Sequence, residues 1–352
     1  MAFSSANRKG TINGIIFVAI LAAAATMIAD LAFIKNLGIS PLVIGIVIGI
    51  FYANTLNNKT PREWSGGITF SAKKILRFAI VFYGFRITFQ QIAEVGLEGF
   101  LVSLIMLSTT FILGTWVAQK FFKLDRDTSM LSASGASVCG AAAVLATEPV
   151  LKSQEHKAAI AVSMVVLFGT ISMFLYPLLY NMGVFDMSAR EFGIYVGGTI
   201  HEVAQVVAVP ASVLNLSPEE AAEMANSAVI VKMTRVIMIA PMLIILGIYL
   251  SLTAKKSGVN SGGVKLVIPW FAVYFIGMAG INSLHIIPEN IVDIINEIDT
   301  FLLTMAMTAL GLGTIFAKFR GLGLAPVYSA GVMFLWLVIG GYFITKWVVA
   351  AF

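Results

Sequence analysis

The sequence predicts an all-α polytopic membrane protein with about eleven transmembrane helices, and two observations support this prediction. First, 59% of the 352 residues are hydrophobic and only 12% are charged, whereas soluble domains carry roughly 25% charged residues. Second, apolar runs of about 20 residues, the length at which a helix crosses a bilayer, recur along the chain with short loops between them. Residues 1–352 are therefore expected to form a single membrane domain.

The predicted spans are numbered 1 to 11 in chain order. They cover residues 12–33, 39–56, 72–91, 96–119, 128–150, 156–181, 189–214, 222–252, 266–285, 291–317 and 324–350. With the N-terminus in the cytoplasm, most loop Lys and Arg lie inside, which satisfies the positive-inside rule. The outer segments hold only Lys35, Lys152, Lys157 and Lys346. This distribution predicts a cytoplasmic N-terminus and a C-terminus outside.

Span 1 has a second interpretation. Arg8 and Lys9 precede an apolar stretch, as in a signal peptide that would be removed. The apolar run continues beyond the usual length of such a peptide, which favours a retained helix. Loss of span 1 would leave the remaining topology unchanged.

A fragment of the form K-x-x-R occurs twice before a long apolar run, at Lys74–Arg77 in span 3 and at Lys232–Arg235 in span 8. Cations inside apolar segments usually mark a functional path, although they can also snorkel from helix ends. With span 1 set aside, the fragments lie in the second helices of two five-helix blocks, 39–181 and 189–350. Because each block has an odd number of crossings, the second is predicted to be inverted, as in duplicated transporters.

Span 5 carries a dense run of small and hydroxylated residues, Ser132–Ala142. Such residues weaken a helix and expose its backbone, so an interrupted helix with N–H groups available to an anion is predicted. Close helix packing is the alternative. The candidate substrate-binding residues of this run are Ser134, Gly135, Ser137, Cys139 and Gly140.

Span 10 carries a similar but less polar run, Thr304–Thr314, at the equivalent position of the second block. Interrupted helices at matching positions of two repeats point to a substrate site near the middle of the membrane. Thr308 and Gly311 are therefore added to the candidate substrate-binding residues.

Span 7 places His201 next to Glu202 within an apolar segment, with Gln205 one turn beyond His201 on the same helix face. Histidine and carboxylate side chains are natural proton carriers, so these three residues are candidates for coupling to a proton. A hydrogen-bonded structural cluster is the alternative. Arg86, near the outer end of span 3, is a weaker candidate, since a solvated or lipid-facing position is equally compatible with its place.

Several classes of activity are not expected. The single cysteine, Cys139, excludes an internal disulfide, and the three histidines are too dispersed for metal-ligand spacing. The basic residues are spread over loops, which does not indicate a nucleic-acid partner. No phosphate-binding loop of the form G-x-x-x-x-G-K-[ST] is present, so ATP hydrolysis is not expected. We expect a protein that is not an enzyme and has no cofactor or metal, other than a coupling H⁺ or Na⁺.

The segments Gly135–Gly140 (GASVCG) and Gly198–Ala208 (GTIHEVAQVVA) resemble the signature segments of the YeiH-type family, whose members are described as sulfate exporters of the bacterial inner membrane. The resemblance spans essentially the whole chain. The family is similar in turn to the bile acid:sodium symporter and sodium/proton antiporter architecture. That architecture has core and panel domains with two crossing interrupted helices.

The resemblance implies that spans 5 and 10 form the crossing pair. It also implies that spans 2, 3, 7 and 8 form the panel domain. The charged and titratable residues of these spans would then line a cavity wall, namely Arg77, His201, Glu202, Lys232 and Arg235.

These observations favour a secondary transporter of a small anion, such as sulfate, a sulfonate or a small carboxylate. Lys232, Arg235 and Arg77 would supply positive charge, because a desolvated divalent anion needs several cations and N–H donors.

A sodium-coupled carrier of an organic substrate is the alternative, with Glu202 and Gln205 near the ion. An intramembrane enzyme using Cys139 and His201 is a more remote one, and a channel or a purely structural protein fits the repeat less well. Expected partners are the anion and the lipid bilayer, and a homodimer could form through span 1.

Overall fold

The structure, a computed structural model, describes residues 8–31, 34, 40–56, 60–256, 270–315, 317 and 323–352, and the regular structure of these residues is helical. The α-helices are α1 (Arg8–Ala29), α2 (Pro41–Thr55), α3 (Ser65–Phe70), α4 (Leu76–Tyr83), α5 (Phe89–Lys120), α6 (Arg126–Ser137), α7 (Ala141–Leu151), α8 (Glu155–Asn181), α9 (Ala189–Thr199), α10 (Val203–Ala208), α11 (Pro218–Ile237), α12 (Ile239–Lys256), α13 (Trp270–Ser283), α14 (Glu289–Gly313), α15 (Leu324–Leu335) and α16 (Gly341–Ala351). Short 3₁₀ turns lie at Arg62–Trp64, Gly84–Arg86 and Pro210–Ser212, and π turns at Ser71–Ile75 and Trp336–Gly340.

The predicted class, an all-helical polytopic membrane protein, is confirmed. Five helical segments of the described residues are long and apolar enough to cross a membrane: Arg8–Ala29, Phe89–Lys120, His156–Asn181, Pro218–Thr253 and Leu324–Ala351. The predicted number of eleven crossings does not hold, because the contacts within spans 5 and 7 show that both turn back. Residues 32, 33, 39, 266–269 and 316 of spans 1, 2, 9 and 10, and the loop residue Lys35, lie outside the described residues.

The chain divides into two compact units. The first consists of residues 1–92, 207–221 and 271–321, and the second of residues 93–206, 222–270 and 322–352. Each unit takes helices from both predicted five-helix blocks, so neither block forms a unit by itself. The arrangement as two inverted repeats stays a prediction.

In the first unit, α14 packs closely against α2. A side chain at Gly49 would collide with the Thr308 carbonyl, and one at Gly311 would collide with the Ile46 carbonyl. Small residues at such a contact let two helix backbones approach each other. The prediction that span 10 is interrupted is wrong, because α14 runs unbroken from Glu289 to Gly313.

Two threonine hydroxyls of α14 form hydrogen bonds to carbonyls of the same helix. The hydroxyl of Thr304 donates to the carbonyl of Thr300, and the hydroxyl of Thr308 donates to the carbonyl of Thr304, both at 2.8 Å. Thr and Gly in span 10 therefore serve helix packing, and their composition alone did not distinguish packing from interruption.

In the second unit, α6 and α7 form a helical hairpin, hairpin 1 (126–151), instead of a continuous span. The Oγ atom of Ser134 on α6 lies 2.6 Å from Oγ1 of Thr147 on α7. At the other end, Nζ of Lys157, two residues into α8, lies 2.7 Å from Oδ1 of Asp125, which precedes α6. A straight helix over 126–151 would separate those ends by roughly 39 Å. Span 5 therefore turns back, and the prediction that it crosses is wrong.

A second hairpin follows α8. Gly193 of α9 lies against Met224 of α11, and Gly197 lies against Ala228. From the first contact to the second, the residue number rises by four in both helices, so α9 and α11 run parallel. The chain must return to the level of Gly193 before it enters α11. The segment α9–α10 (189–208), hairpin 2, is therefore also a helical hairpin, and span 7 does not cross.

Each hairpin begins with a side-chain cap on its first helix. The Asp125 carboxylate accepts hydrogen bonds from the backbone N–H groups of Asp127 and Thr128 at the start of α6. At the start of α9, Ser188 and Glu191 form a reciprocal capping box. Such caps satisfy the first N–H groups of a helix, which otherwise lack partners.

The two hairpins begin at opposite ends of α8, whose 27 residues span about 40 Å. Hairpin 1 precedes the start of α8 and hairpin 2 follows its end, so they enter the second unit from opposite sides. With the N-terminus inside, this arrangement moves Lys152 and Lys157 to the cytoplasmic side and Arg190 to the outer side. The predicted locations of both termini do not change.

Labelling of single cysteines in intact cells can test whether both ends of hairpin 1 lie on the same side of the membrane. In a Cys139→Ser background, single cysteines at Lys123 and Gln154, which are exposed and flank the hairpin, should react with a membrane-impermeant thiol reagent from the same side. A cysteine at Val184, beyond the far end of α8, is the control and should react from the opposite side. Reaction of positions 123 and 154 from opposite sides would show that span 5 crosses.

Candidate functional site

The tips of the two hairpins meet in the second unit. The tip of hairpin 1 is Val138–Gly140 and that of hairpin 2 is Ile200–Glu202. The backbone N–H of Ala141 donates to Oε1 of Glu202 at 3.4 Å. Gly140 has a φ of +76°, and a side chain there would lie 2.5 Å from Cγ of Glu202. The glycine thus serves both the left-handed turn and the close approach of the other tip.

Lys232 of α11 joins the two tips. Its Nζ donates to the carbonyl of Val138 at 2.9 Å in tip 1, and to those of Ile200 and His201 at 2.7 and 2.6 Å in tip 2. The residue is fully buried. An ammonium group has three N–H donors, so the three carbonyls use all of them.

Arg235, one turn further along α11, also bonds to both hairpins. In hairpin 1 its guanidinium donates to the carbonyls of Ser137, through Nε at 3.2 Å and through Nη2, and of Ala136 at 3.3 Å. In hairpin 2 it donates to the carbonyls of Gly197 and Ile200 at 3.3 and 3.5 Å. This residue too is fully buried.

All these acceptors are carbonyls at the C-terminal ends of α6 and α9 or at the breaks that follow them. The last four carbonyls of a helix have no partner within it, and the helix dipole makes that end negative. Lys232 and Arg235 therefore neutralise two helix C-termini inside the protein. In this arrangement all three N–H groups of Lys232 are already bonded to carbonyls. The predicted binding of a substrate by this ammonium would therefore require at least one of these bonds to break.

A positive surplus remains around the tips. Lys232 and Arg235 carry two charges against one on an ionised Glu202. The C-termini of α6 and α9 contribute about −0.5 each, and the N-termini of α7 and α10 about +0.5 each. The balance is roughly one positive charge, which favours an anion over a cation at this place.

The coupling candidates of span 7 lie in and beside tip 2. His201 is buried, and its Nδ1 atom has no hydrogen-bond partner in the described part of the chain. Gln205 is fully buried; its Oε1 accepts from the backbone N–H of Glu202 at 3.1 Å, while its Nε2 finds no acceptor among the described residues. A side chain at Gly169 of α8 would collide with the Gln205 amide. Two nitrogen atoms are thus available beside the tips.

The hydroxylated residues of hairpin 1 hold its own arms together. Besides its bond to Thr147, Ser134 donates to the Ala143 carbonyl at 3.4 Å, and Ser137 donates to the Ser134 carbonyl at 3.3 Å. Cys139 is buried in the tip. Gly135 packs against Val144 and Val165. Within this set, Ser137, Cys139 and Gly140 lie at or next to the tip.

The remaining predicted residues lie in the first unit. Arg77 is exposed on α4, with its guanidinium carbon 5.8 Å from the centre of the Phe271 ring. Thr308 and Gly311 lie in the contact between α2 and α14. The structure therefore does not group these three with the hairpin tips.

The implied division into core and panel is also wrong. Residues 189–206 of span 7, with His201 and Glu202, and span 8, with Lys232 and Arg235, belong to the same unit as span 5. Span 10 belongs to the unit that contains spans 2 and 3. The second interrupted helix is span 7, so span 10 is not part of the interrupted pair.

The sequence did not reveal the backbone carbonyls that bind the two cations, nor the role of Thr147. Main-chain acceptors carry no residue signature. The interruption in span 7 did have a signal, because Gly197, Gly198 and Thr199 precede His201 as small residues precede the first break. The ion pair between Asp125 and Lys157 joins residues too far apart in the chain to be recognised from their spacing.

Replacing Lys232 with methionine should destabilise the protein. The change keeps the length of the side chain but leaves three buried carbonyls without a donor, at about 1–3 kcal/mol for each unsatisfied group. Thermal unfolding in detergent should show a lowered midpoint. Lys120→Met is the matched control, because Lys120 is exposed on α5, and its midpoint should stay near that of the wild type. An unchanged midpoint in Lys232→Met would mean that the ammonium does not hold the tips.

The ion pair between Asp125 and Lys157, at the base of hairpin 1, should make the free energy of unfolding depend on pH in the acid range. Burial opposes ionisation of Asp125, but the hydrogen bonds from Lys157 and Thr128 outweigh it and lower the pKa of this carboxyl from 3.8 to about 2. The stabilisation is therefore fully present above pH 4 and is lost as the pH falls through about 2. Because the side chain is 49% exposed, the contribution is roughly 1 kcal/mol or less.

Asp125→Asn should accordingly lower the unfolding midpoint at neutral pH, and the difference from the wild type should shrink as the pH falls from about 4 to about 2. Asp186→Asn, in an exposed loop, is the control. A difference that stays constant over this range would exclude the ion pair as its cause.

Comparison with known proteins identifies relatives over nearly the whole chain. The family model described as conserved hypothetical protein 698 matches residues 13–330. A UPF0324 membrane protein of Bordetella pertussis is 48% identical over 338 residues, which cover 96% of this chain and 95% of that protein. One of Pseudomonas putida is 46% identical, with 96% and 93% covered. The UPF0324 inner membrane protein YeiH of Escherichia coli K12 is 44% identical, with 94% and 92% covered.

No solved structure matches the chain. The family model and the relatives agree with the resemblance seen in the two glycine-containing segments, which now lie at the tips of the two hairpins. The chain belongs to the conserved hypothetical protein 698 family, that of the UPF0324 membrane proteins and YeiH.

Proposed function

We propose that this protein is a secondary transporter of a small anion, such as sulfate, a sulfonate or a related oxyanion, and that it works by alternating access in the bacterial inner membrane. The observation that carries the proposal is the meeting of two opposed helical hairpins on the buried cations Lys232 and Arg235. Irregular backbone at membrane depth is tolerated only where it is buried or lines a cavity, and in transporters it forms the substrate site. The location follows the name of the relative YeiH.

The hydrogen bonds suggest how substrate binding and movement are linked. Each cation bonds to carbonyls of both hairpins. When one hairpin withdraws, its carbonyls leave Lys232 and Arg235, and the released N–H groups need new acceptors. The oxygens of an oxyanion would replace the lost carbonyls, so the substrate would stabilise a state in which one tip has moved. Alternate withdrawal of the two hairpins would expose the site to each side in turn.

The charge around the tips supports an anionic substrate. Both cations stay in place when either hairpin moves, because they are on α11, and withdrawal of hairpin 2 would also remove the negative charge of Glu202. Charge-assisted hydrogen bonds from a guanidinium and an ammonium to an oxyanion are among the strong ones. Ser137, Cys139 and the N–H groups that follow Gly140 would complete the contacts from the side of hairpin 1.

His201, Glu202 and Gln205 would link transport to a proton. Glu202 reaches across from tip 2 to the N–H of Ala141, so protonation of this carboxylate would weaken the contact between the tips. Nδ1 of His201 and the Gln205 amide lie beside it with unused hydrogen-bonding capacity in the described part of the chain. Proton binding in this group would therefore favour separation of the hairpins.

The sodium-coupled alternative receives less support from this geometry. Sodium-coupled carriers use carbonyls of unwound helices to coordinate the ion. Here the carbonyls of Val138, Ile200 and His201 already surround the Lys232 ammonium at 2.6–2.9 Å. A side-chain cation thus stands where a coupling sodium would be expected, which favours a sodium-independent transporter.

The remote alternative, an intramembrane enzyme, would need Cys139 and His201 to act as nucleophile and base. Nδ1 of His201 accepts no hydrogen bond from Cys139 in the described part of the chain. We propose that the protein is not an enzyme and needs no cofactor. Retention of transport in Cys139→Ala would agree with this, whereas a nucleophile could not be removed without complete loss.

The proposal is tested by a thermal-shift screen of the purified protein. Sulfate, sulfite, sulfonates, small carboxylates and sodium would be compared at two pH values. A ligand that binds only the folded state raises its stability, by about 2.7 kcal/mol at one hundred times its Kd. We expect one class of anion to raise the midpoint, with no response to sodium alone.

Two variants show where the anion binds, and each shift is measured against the variant's own midpoint. Arg235→Gln should abolish the shift. Arg77→Gln removes an exposed arginine of the first unit and should leave the shift intact. A shift that survives in Arg235→Gln would contradict the proposed site. Stabilisation by sodium without any response to anions would favour the sodium-coupled carrier.

A further inference from the structure

The first unit contains a buried carboxylate that the proposed transport site does not use. Asp299 is the eleventh residue of α14, about 15 Å from the start of the helix and near its middle. Its side chain is fully buried, while that of its neighbour Arg86 is 28% exposed. We infer that Asp299 is a site for an exchangeable proton in the first unit, separate from the hairpin tips. This inference does not depend on the proposed function.

The ion pair between Arg86 and Asp299 is loose. Nη2 of Arg86 lies 3.4 Å from Oδ2 of Asp299, but only 2.5 Å from the carbonyl of Asn296 and 2.8 Å from Oγ1 of Thr300. Oδ1 of Asp299 has no hydrogen-bond partner among the described residues. A buried carboxylate needs close donors to offset its desolvation, and one long contact is a poor substitute.

A proton on Asp299 improves the hydrogen bonding of this group. Asn296 and Asp299 are three residues apart and share a helix face. Oδ1 of Asn296 is buried and, within the described residues, has no donor. The acid form of Asp299 has an O–H donor, which the carboxylate lacks, and can supply it to this oxygen. Arg86 keeps its two closer acceptors when Asp299 becomes neutral, so binding of the proton leaves both of these hydrogen bonds from Nη2 in place.

The surroundings favour a proton over a metal cation. The guanidinium of Arg86, held over the Tyr83 ring at 5.2 Å, is the charge nearest to Asp299, and it would repel a second cation. The other titratable groups on the described elements that pack against α14, and on α14 itself, are exposed or packed elsewhere. They are Arg8, Lys9, Tyr52, Lys73, Lys74, Arg77, Glu289, Asp293 and Glu297.

Infrared difference spectroscopy of the full-length protein tests this site directly. Changing the pH across the physiological range should change the C=O stretching band of a protonated carboxyl group. The component of this band that comes from Asp299 should be lost in Asp299→Asn, which resembles the acid form in shape, whereas any component from Glu202 should remain. The Asp299 component should persist in Glu297→Gln, the matched control, because Glu297 is exposed two residues away on the same helix. An identical band in Asp299→Asn and in the wild type would overturn the inference.

A second variant keeps the test decisive if Asp299→Asn does not fold. Asn296→Leu removes the proposed acceptor but leaves Asp299 in place. The band should then move to higher frequency, because a carboxyl group with fewer hydrogen bonds has a stiffer C=O bond. An unchanged frequency in a variant with a normal unfolding transition would exclude the hydrogen bond between Asn296 and the acid form of Asp299, and with it the geometry on which the site depends.

Discussion

The architecture of the second unit depends on the hydrogen bonds between two buried cations and the carbonyl ends of two interrupted helices. In a membrane, every backbone polar group must find a partner inside the protein. Two helices that stop at mid-depth leave several carbonyls without one, together with two negative helix ends. Lys232 and Arg235, one turn apart on α11, satisfy carbonyls of both helices at once. Without them neither break could stay buried.

This constraint also explains why the hairpins share a single helix as their partner. A donor on α11 that bonds to one tip alone would leave the other tip unsatisfied. Placing both cations on α11 forces the tips together, and Glu202 then occupies the space next to Gly140, where only glycine fits. The same interactions that hold the tips are those that an oxyanion could replace. Stability and transport would therefore use one set of donors, and loss of a cation should affect both.

The sequence predicted the class and the two motifs at the tips, because both have local causes. High hydropathy predicts membrane helices, and small residues such as those of Ser132–Gly140 weaken a helix wherever they occur. It did not predict that spans 5 and 7 turn back. A hairpin of two short apolar helices has nearly the length and composition of one span, and the contacts that reveal the return, such as Asp125 with Lys157, are between distant residues.

The repeated K-x-x-R fragment shows how a short pattern can mislead. Lys232 and Arg235 are fully buried, but Lys74 and Arg77 are exposed. Four residues do not determine which side of a helix faces the protein. Similarly, the threonines of span 10 looked like a second interruption, yet their hydroxyls bond to carbonyls of the preceding turn within an intact helix. In both cases the neighbours on other helices, which the sequence does not reveal, decided the outcome.

The central claim is that the two hairpin tips meet, and cross-linking tests it most directly. In a Cys139→Ser background, cysteines at Ala141 and Glu202 would be treated in native membranes with a short bifunctional thiol reagent. The pair Ser134→Cys and Thr147→Cys, whose hydroxyl oxygens lie 2.6 Å apart within hairpin 1, serves as the positive control. We predict efficient cross-linking of positions 141 and 202, which a substrate anion would reduce. Cross-linking of the control pair alone would contradict the account.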